Sequence, residues 1–133
     1  LPPAMKVTPK NLFKTFIFST LLGIAATSIY YSISQKDNGY DYGHVVPFII
    51  EGSIFLNLIS IIMSLPGLFL NQSNLWANSW LRLVLYFSGP VLLIFTVIFG
   101  QINSSDKTIY LLILTIFLIT HAIFYRKMIK NNG

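Results

Sequence analysis

Four long apolar runs, joined by short polar links, constrain this chain more than any other feature. At 1.5 Å per residue, about 20 mostly apolar residues cross the ~30 Å hydrocarbon core of a bilayer. Residues 13–33, 45–70, 80–100 and 108–125 each meet that length. The third and fourth runs contain β-branched residues that would favour strands in water. In hydrocarbon an open sheet leaves its edge N–H and C=O groups unpaired, so helices are expected instead. The expected fold class is all-α: one domain, an integral membrane bundle of four transmembrane helices.

Composition points the same way. Hydrophobic residues make up 54% of the 133 residues and charged residues 10%, against about 25% charged in soluble domains. A small water-soluble domain must wet a large remaining surface, and so few charges do not suffice. The bilayer is therefore the first expected partner. The net charge of +5 is not a nucleic-acid signature, because the basic residues form no stripe with interleaved aromatics. No nucleic-acid partner is expected. The chain has no cysteine, which excludes disulfides, thiol nucleophiles and thiolate metal sites. It also lacks a phosphate-binding glycine loop and HExxH, so no cofactor or metal is expected.

Charge asymmetry sets the expected topology. Lys6, Lys10, Lys14, Arg82, Arg126, Lys127 and Lys130 fall on one side of a four-span arrangement, and only Lys36 and Lys107 on the other. Basic residues stay on the cytoplasmic side, so both termini are expected there. The short links, including the turn dipeptide Asn38-Gly39, make neighbouring helices antiparallel. A bacterial inner membrane is the expected location. The same imbalance argues against exporters that insert in both orientations, which need balanced charge. Tyr30, Tyr31, Tyr40, Tyr42 and Tyr110 are expected at the outer interface; Trp76, Trp80 and Tyr125 are expected at the inner one. Leu1-Pro2-Pro3-Ala4 precede Met5-Lys6, which reads as a native start, so the first four residues are expected to be appended sequence. Ala25-Ala26 gives the first run the outline of a cleaved leader. Its apolar stretch continues through Ile29-Tyr30-Tyr31, and a retained span is expected.

Three groups are candidate ligand-binding sites. Glu51 lies inside the second apolar run, where an ionisable side chain is a functional hypothesis by default. With His44 and Asp41 it would make an outward polar pocket for a cation or a metal, although the Asp/His/Glu spacing matches no compact metal motif. The plainer expectation places it near the headgroups, hydrated or paired with Lys36 or Lys107. Ser53, Asn57, Ser60 and Ser64 follow helical spacing on a face turned away from Glu51, and Gly67 continues the line. Such a stripe lines a conduit or forms a packing seam; the seam is favoured, with Ser19, Gly23 and Thr27 as its counterpart. Arg82 with Tyr86, and His121 with Tyr125, are i,i+4 pairs near one end of adjacent helices. They suit a phosphate headgroup or another anion, or else a snorkelling arginine and a backbone-bonded histidine. Ser88-Gly89-Pro90 is expected to interrupt the third helix and Pro66-Gly67 the inner end of the second. Pro47 falls where the second helix is expected to begin.

No catalytic set can be assembled from these residues. The leading functional expectation is a small non-enzymatic polytopic protein acting by helix-face binding, of accessory or immunity type, with a membrane protein or a second copy as partner. An oligomeric transporter or channel near Glu51 and Asn57 is the alternative. A membrane enzyme acting on lipid or quinone through Arg82, Tyr86 and His121 is the third.

Overall fold

The computed structural model describes residues 9–34, 42–71, 73–102 and 104–132. Among them no strand occurs. Helix α1 (Pro9–Ser34) starts on a proline, whose missing N–H is one the first turn leaves unbonded anyway. Then come α2 (Tyr42–Met63), a 3₁₀ segment (Leu65–Asn71), the short α3 (Ser73–Ala77), α4 (Ser79–Phe99) and α5 (Ser104–Asn132). Four stretches are long and apolar enough to cross a bilayer: Pro9–Ile33, Val46–Asn71, Ser79–Phe99 and Lys107–Lys130. This is the make-up of a multi-pass membrane protein.

At the inner end of the second run the interruption expected at Pro66-Gly67 is found, and the boundaries depart from the expected ones in two further places. α2 stops at Met63, and residues 65–71 tighten into 3₁₀ geometry. Ser64 N–H bonds Ile61 C=O and Gly67 N–H bonds Ser64 C=O, both at 3.0 Å, an i to i−3 pattern. Pro66 is the cause: it has no N–H for the Ile62 carbonyl, and its ring disfavours α geometry at Leu65. Pro47 lies inside α2 rather than at its start, because the helix begins in the polar link. α5 continues well beyond residue 125, and Met128 on its extension is buried.

The link between the second and third spans is also structured. After α3, Asn78 adopts extended geometry, and its side chain accepts from Trp80 N and Leu81 N at 3.0 and 3.3 Å. That satisfies two of the backbone donors that a helix start leaves free.

α5 packs against α1, α4 and α2; α2 also packs on α1 and α4, and the 3₁₀ segment lies on α4. Two apolar clusters hold these elements together. One joins Leu70, Trp76, Tyr86 and Met128. The other joins Leu56, Val97, Ile109, Ile113 and Leu114. Small polar side chains are buried with them: Thr15, Ser19 and Thr27 on α1, Ser53, Asn57, Ser60 and Ser64 on α2, and Thr120 and His121 on α5. Large apolar side chains such as Phe13, Leu21, Phe55, Leu92 and Phe99 face outward. Lipid explains this inversion. Tails are as apolar as leucine, so close packing and internal hydrogen bonds, rather than burial of oily surface, hold helices together.

Candidate functional site

The Arg82, Tyr86, His121 and Tyr125 group assembles, and a proline organises it. In an α-helix the carbonyl of Tyr86 would accept from the N–H of residue 90, but that residue is Pro90. The freed carbonyl accepts from His121 Nε2 of α5 at 2.8 Å. The imidazole lies flat on the Tyr86 ring, with centroids 3.9 Å apart and planes 8° apart. Phe117 stacks on it at 5.4 Å, and Phe87 meets it edge-on at 5.5 Å. His121 is fully buried. It replaces a backbone donor that proline deleted, which is how helices tolerate internal prolines in lipid. α4 accordingly runs unbroken through Ser88-Gly89-Pro90, where an interruption was expected.

Tyr125 completes the ring cluster, 4.8 Å from Tyr86 and 5.1 Å from Phe87. Arg82 is half-buried, with its guanidinium 5.1 Å from the centre of the Trp76 ring. Its Nε is buried without a hydrogen-bond partner among the described residues, as is His121 Nδ1. Trp76 is buried beneath Arg82, because the turn through α3 folds it back onto α4. His121 is enclosed by the rings of Tyr86, Phe87 and Phe117, whereas Arg82 remains half-exposed.

The polar stripe of α2 meets α1 at Gly23. A Cβ there would stand 3.9 Å from Asn57 Nδ2, 4.0 Å from Ser53 Oγ and 3.8 Å from Ile113 Cγ2, so α1, α2 and α5 converge at this point. The stripe turns inward on its own backbone. Asn57 Nδ2 donates to Ser53 C=O at 2.7 Å, Ser60 to Leu56 C=O at 2.8 Å and Ser64 to Ser60 C=O at 2.7 Å. Thr27 Oγ1, Ser53 Oγ and Asn57 Oδ1 are buried without partners among the described residues. Beside Thr27 lies a cavity of about 170 Å³ whose walls are otherwise mainly apolar, including Ile49, Leu56, Ile109 and Ile113. Helices α1, α2 and α5 thus approach closely at Gly23, and a cavity opens beside that contact.

Glu51 stands elsewhere. It is exposed on the outer face of α2, among the exposed Phe48, Ile50, Ile54, Phe55 and Leu58. It lies five residues past Val46, where the span begins, or about 7.5 Å along the axis. Asn57 is fully buried on the opposite side, so the two residues do not line a common path within one chain. Lys107, one expected partner of Glu51, donates to the Ile98 carbonyl at 3.0 Å. Lys36 and Asp41 lie outside the described residues, as does the side chain of His44. Among the described residues no cluster of three metal-ligating side chains occurs.

Residue patterns had not singled out a groove between α1 and α5. Its walls include Lys14, Phe18 and Leu22 on one helix and Thr120, Ile123, Phe124 and Lys127 on the other. The available signal was the basic–aromatic spacing, i,i+4 for Lys14 and Phe18 and i,i+3 for Phe124 and Lys127. No protein-family model matches this chain, and neither a curated protein nor a solved structure is similar to it.

Proposed function

We propose that this chain is a non-enzymatic membrane protein, of accessory or immunity type, that binds a membrane partner through the outer face of α2. The observation that carries this reading is the exposed Glu51 among lipid-facing Phe48, Ile54, Phe55 and Leu58. A carboxylate facing hydrocarbon costs about 2.5–3.5 kcal/mol at mid-membrane and less toward the headgroups. A partner helix bearing a basic or hydrogen-bond-donating side chain at that level lowers the cost, and the apolar residues around Glu51 supply the packing surface. The partner is a different membrane protein or a second copy of this chain. Asn57, Ser60, Ser64, Thr120 and His121 donate to backbone carbonyls of the bundle, whereas Glu51 is exposed on its outer face.

The reading places an antiparallel bundle in a bacterial inner membrane with both termini cytoplasmic. The seven-to-two bias of Lys and Arg supports that orientation. The contacts Tyr86–His121 and Ile98–Lys107 run in opposite order along α4 and α5, as antiparallel neighbours require.

Site-specific photocrosslinking in native membranes tests the proposal. Probes at Ile54 and Leu58 are expected to capture one discrete adduct that a probe at Leu92 on α4 does not give. Glu51→Leu is expected to reduce its yield about five-fold, the equivalent of roughly 1 kcal/mol for a paired group in the membrane. Capture of lipid alone at every α2 position would overturn the reading.

A further inference from the structure

We propose that the groove between α1 and α5 is a binding site for an anionic phospholipid. Lys14 and Lys127 flank one end of it, and Phe18, Leu22, Ile123 and Phe124 continue it along the span. Its volume is about 470 Å³. The rings of Phe18 and Phe124 meet across it at 5.9 Å, and Lys127 Nζ stands 5.8 Å from the Phe124 ring. From Lys14 to Leu22 the helix rises about 12 Å, enough for much of one acyl chain. The arrangement is therefore that of an amphiphile: two cationic groups near the membrane surface and an apolar trough leading away from them into hydrocarbon.

The sign of the headgroup follows from the sequence. The chain has only four acids, Asp37, Asp41, Glu51 and Asp106. None is on α1 or α4, and Asp106 is 21 positions from Lys127 on α5, about 31 Å along the helix. Glu51 lies toward the opposite end of α2, the end close in sequence to Asp41. Among the described residues neither ammonium group has a carboxylate to pair with. The Thr120 hydroxyl is already bonded to the Ile116 carbonyl at 2.9 Å. A phosphate carrying acyl chains supplies the negative charge and matches both the lysines and the trough. Basic pockets between membrane helices on the cytoplasmic side recognise lipids in this way. The inference rests on placement in a membrane and not on partner binding at Glu51.

Native mass spectrometry of the full chain in a non-ionic detergent tests it, with dioleoylphosphatidylglycerol and dioleoylphosphatidylcholine as probes. Each lysine beside an anionic headgroup contributes about five-fold. The phosphatidylglycerol adduct is expected to bind at least about five-fold more tightly than phosphatidylcholine. Lys14→Gln with Lys127→Gln should abolish that preference. Ile123→Trp, which keeps both lysines but fills the exposed trough, should weaken phosphatidylglycerol several-fold. Equal retention of the two lipids would overturn the proposal. So would an Ile123→Trp variant that binds as the parent does, or a Lys107→Gln variant that loses as much as the double substitution. Because purified protein is used, these outcomes are independent of any crosslinking at Ile54 and Leu58.

Discussion

His121 and Pro90 are 31 positions apart, yet one exists for the other's sake. Proline deletes the N–H that would cap the Tyr86 carbonyl, and the imidazole supplies a substitute from α5. This makes a specific double-substitution cycle informative. His121→Phe keeps a ring between Tyr86 and Phe117 but leaves the carbonyl unpaired, and is expected to cost about 1 kcal/mol. In a Pro90→Ala background residue 90 donates to that carbonyl itself, and most of the penalty should vanish. Thermal unfolding in detergent measures the coupling, and additive effects of the two changes would refute the substitution of one donor by another. At this scale the sequence was partly legible. The i,i+4 pairs Arg82–Tyr86 and His121–Tyr125 announced a cluster, because helical spacing alone puts each pair on one face. The role of Pro90 and the burial of Trp76 were not legible, since both depend on which turn of α5, or of the α3 link, comes to rest beside α4.

Among the elements, α2 and α4 approach closely at Gly89. A Cβ on Gly89 would overlap the Met63 carbonyl at the end of α2, so glycine is required there by close approach. Gly67, also beside a proline, is different. A Cβ there would meet Tyr86 Cδ2 at 3.5 Å and the Tyr86 and Leu85 backbone at 3.8 and 3.9 Å, ordinary contact distances. Gly89→Ala is expected to destabilise by about 3 kcal/mol or more, because backbone has to move. Gly67→Ala should remain within about 1 kcal/mol of the parent. Chemical or thermal denaturation in detergent would distinguish them, and equal losses would contradict the packing described. Both glycines stand in the sequence as helix punctuation. Only the fold separates a glycine pressed on a carbonyl from one with room beside it. The early end of α2 was readable in outline from Pro66, whereas the continuation of α5 past Tyr125 was not. Apolar runs mark where lipid begins and ends, and a helix leaving the bilayer continues for as long as it finds something to pack on. Met128 finds the cluster of Leu70, Trp76 and Tyr86.

Across the whole molecule the side chains are arranged for lipid, with small polar groups inside and large apolar ones outside. The orientation proposed here is open to direct measurement, because the chain has no native cysteine. Lys10→Cys and Lys130→Cys are expected to resist a membrane-impermeant maleimide in spheroplasts until the membrane is permeabilised. Gln101→Cys, on the link before α5, should react at once. Opposite accessibility of positions 10 and 130 would dismantle the antiparallel four-span arrangement.

By itself the sequence determined the solvent, the helical class and the number of long apolar helices. Those depend on local quantities: hydropathy summed over 20 residues, backbone hydrogen bonds that hydrocarbon will not replace, and spacing along a single helix. Which polar groups are spent holding the bundle together and which are left at its surface was decided only by tertiary structure. Asn57 and His121 are turned inward, and Glu51, Lys14 and Lys127 are left at the surface. That distinction depends on how the helices are rotated against one another, and rotation is set by side chains far apart in the chain meeting in space.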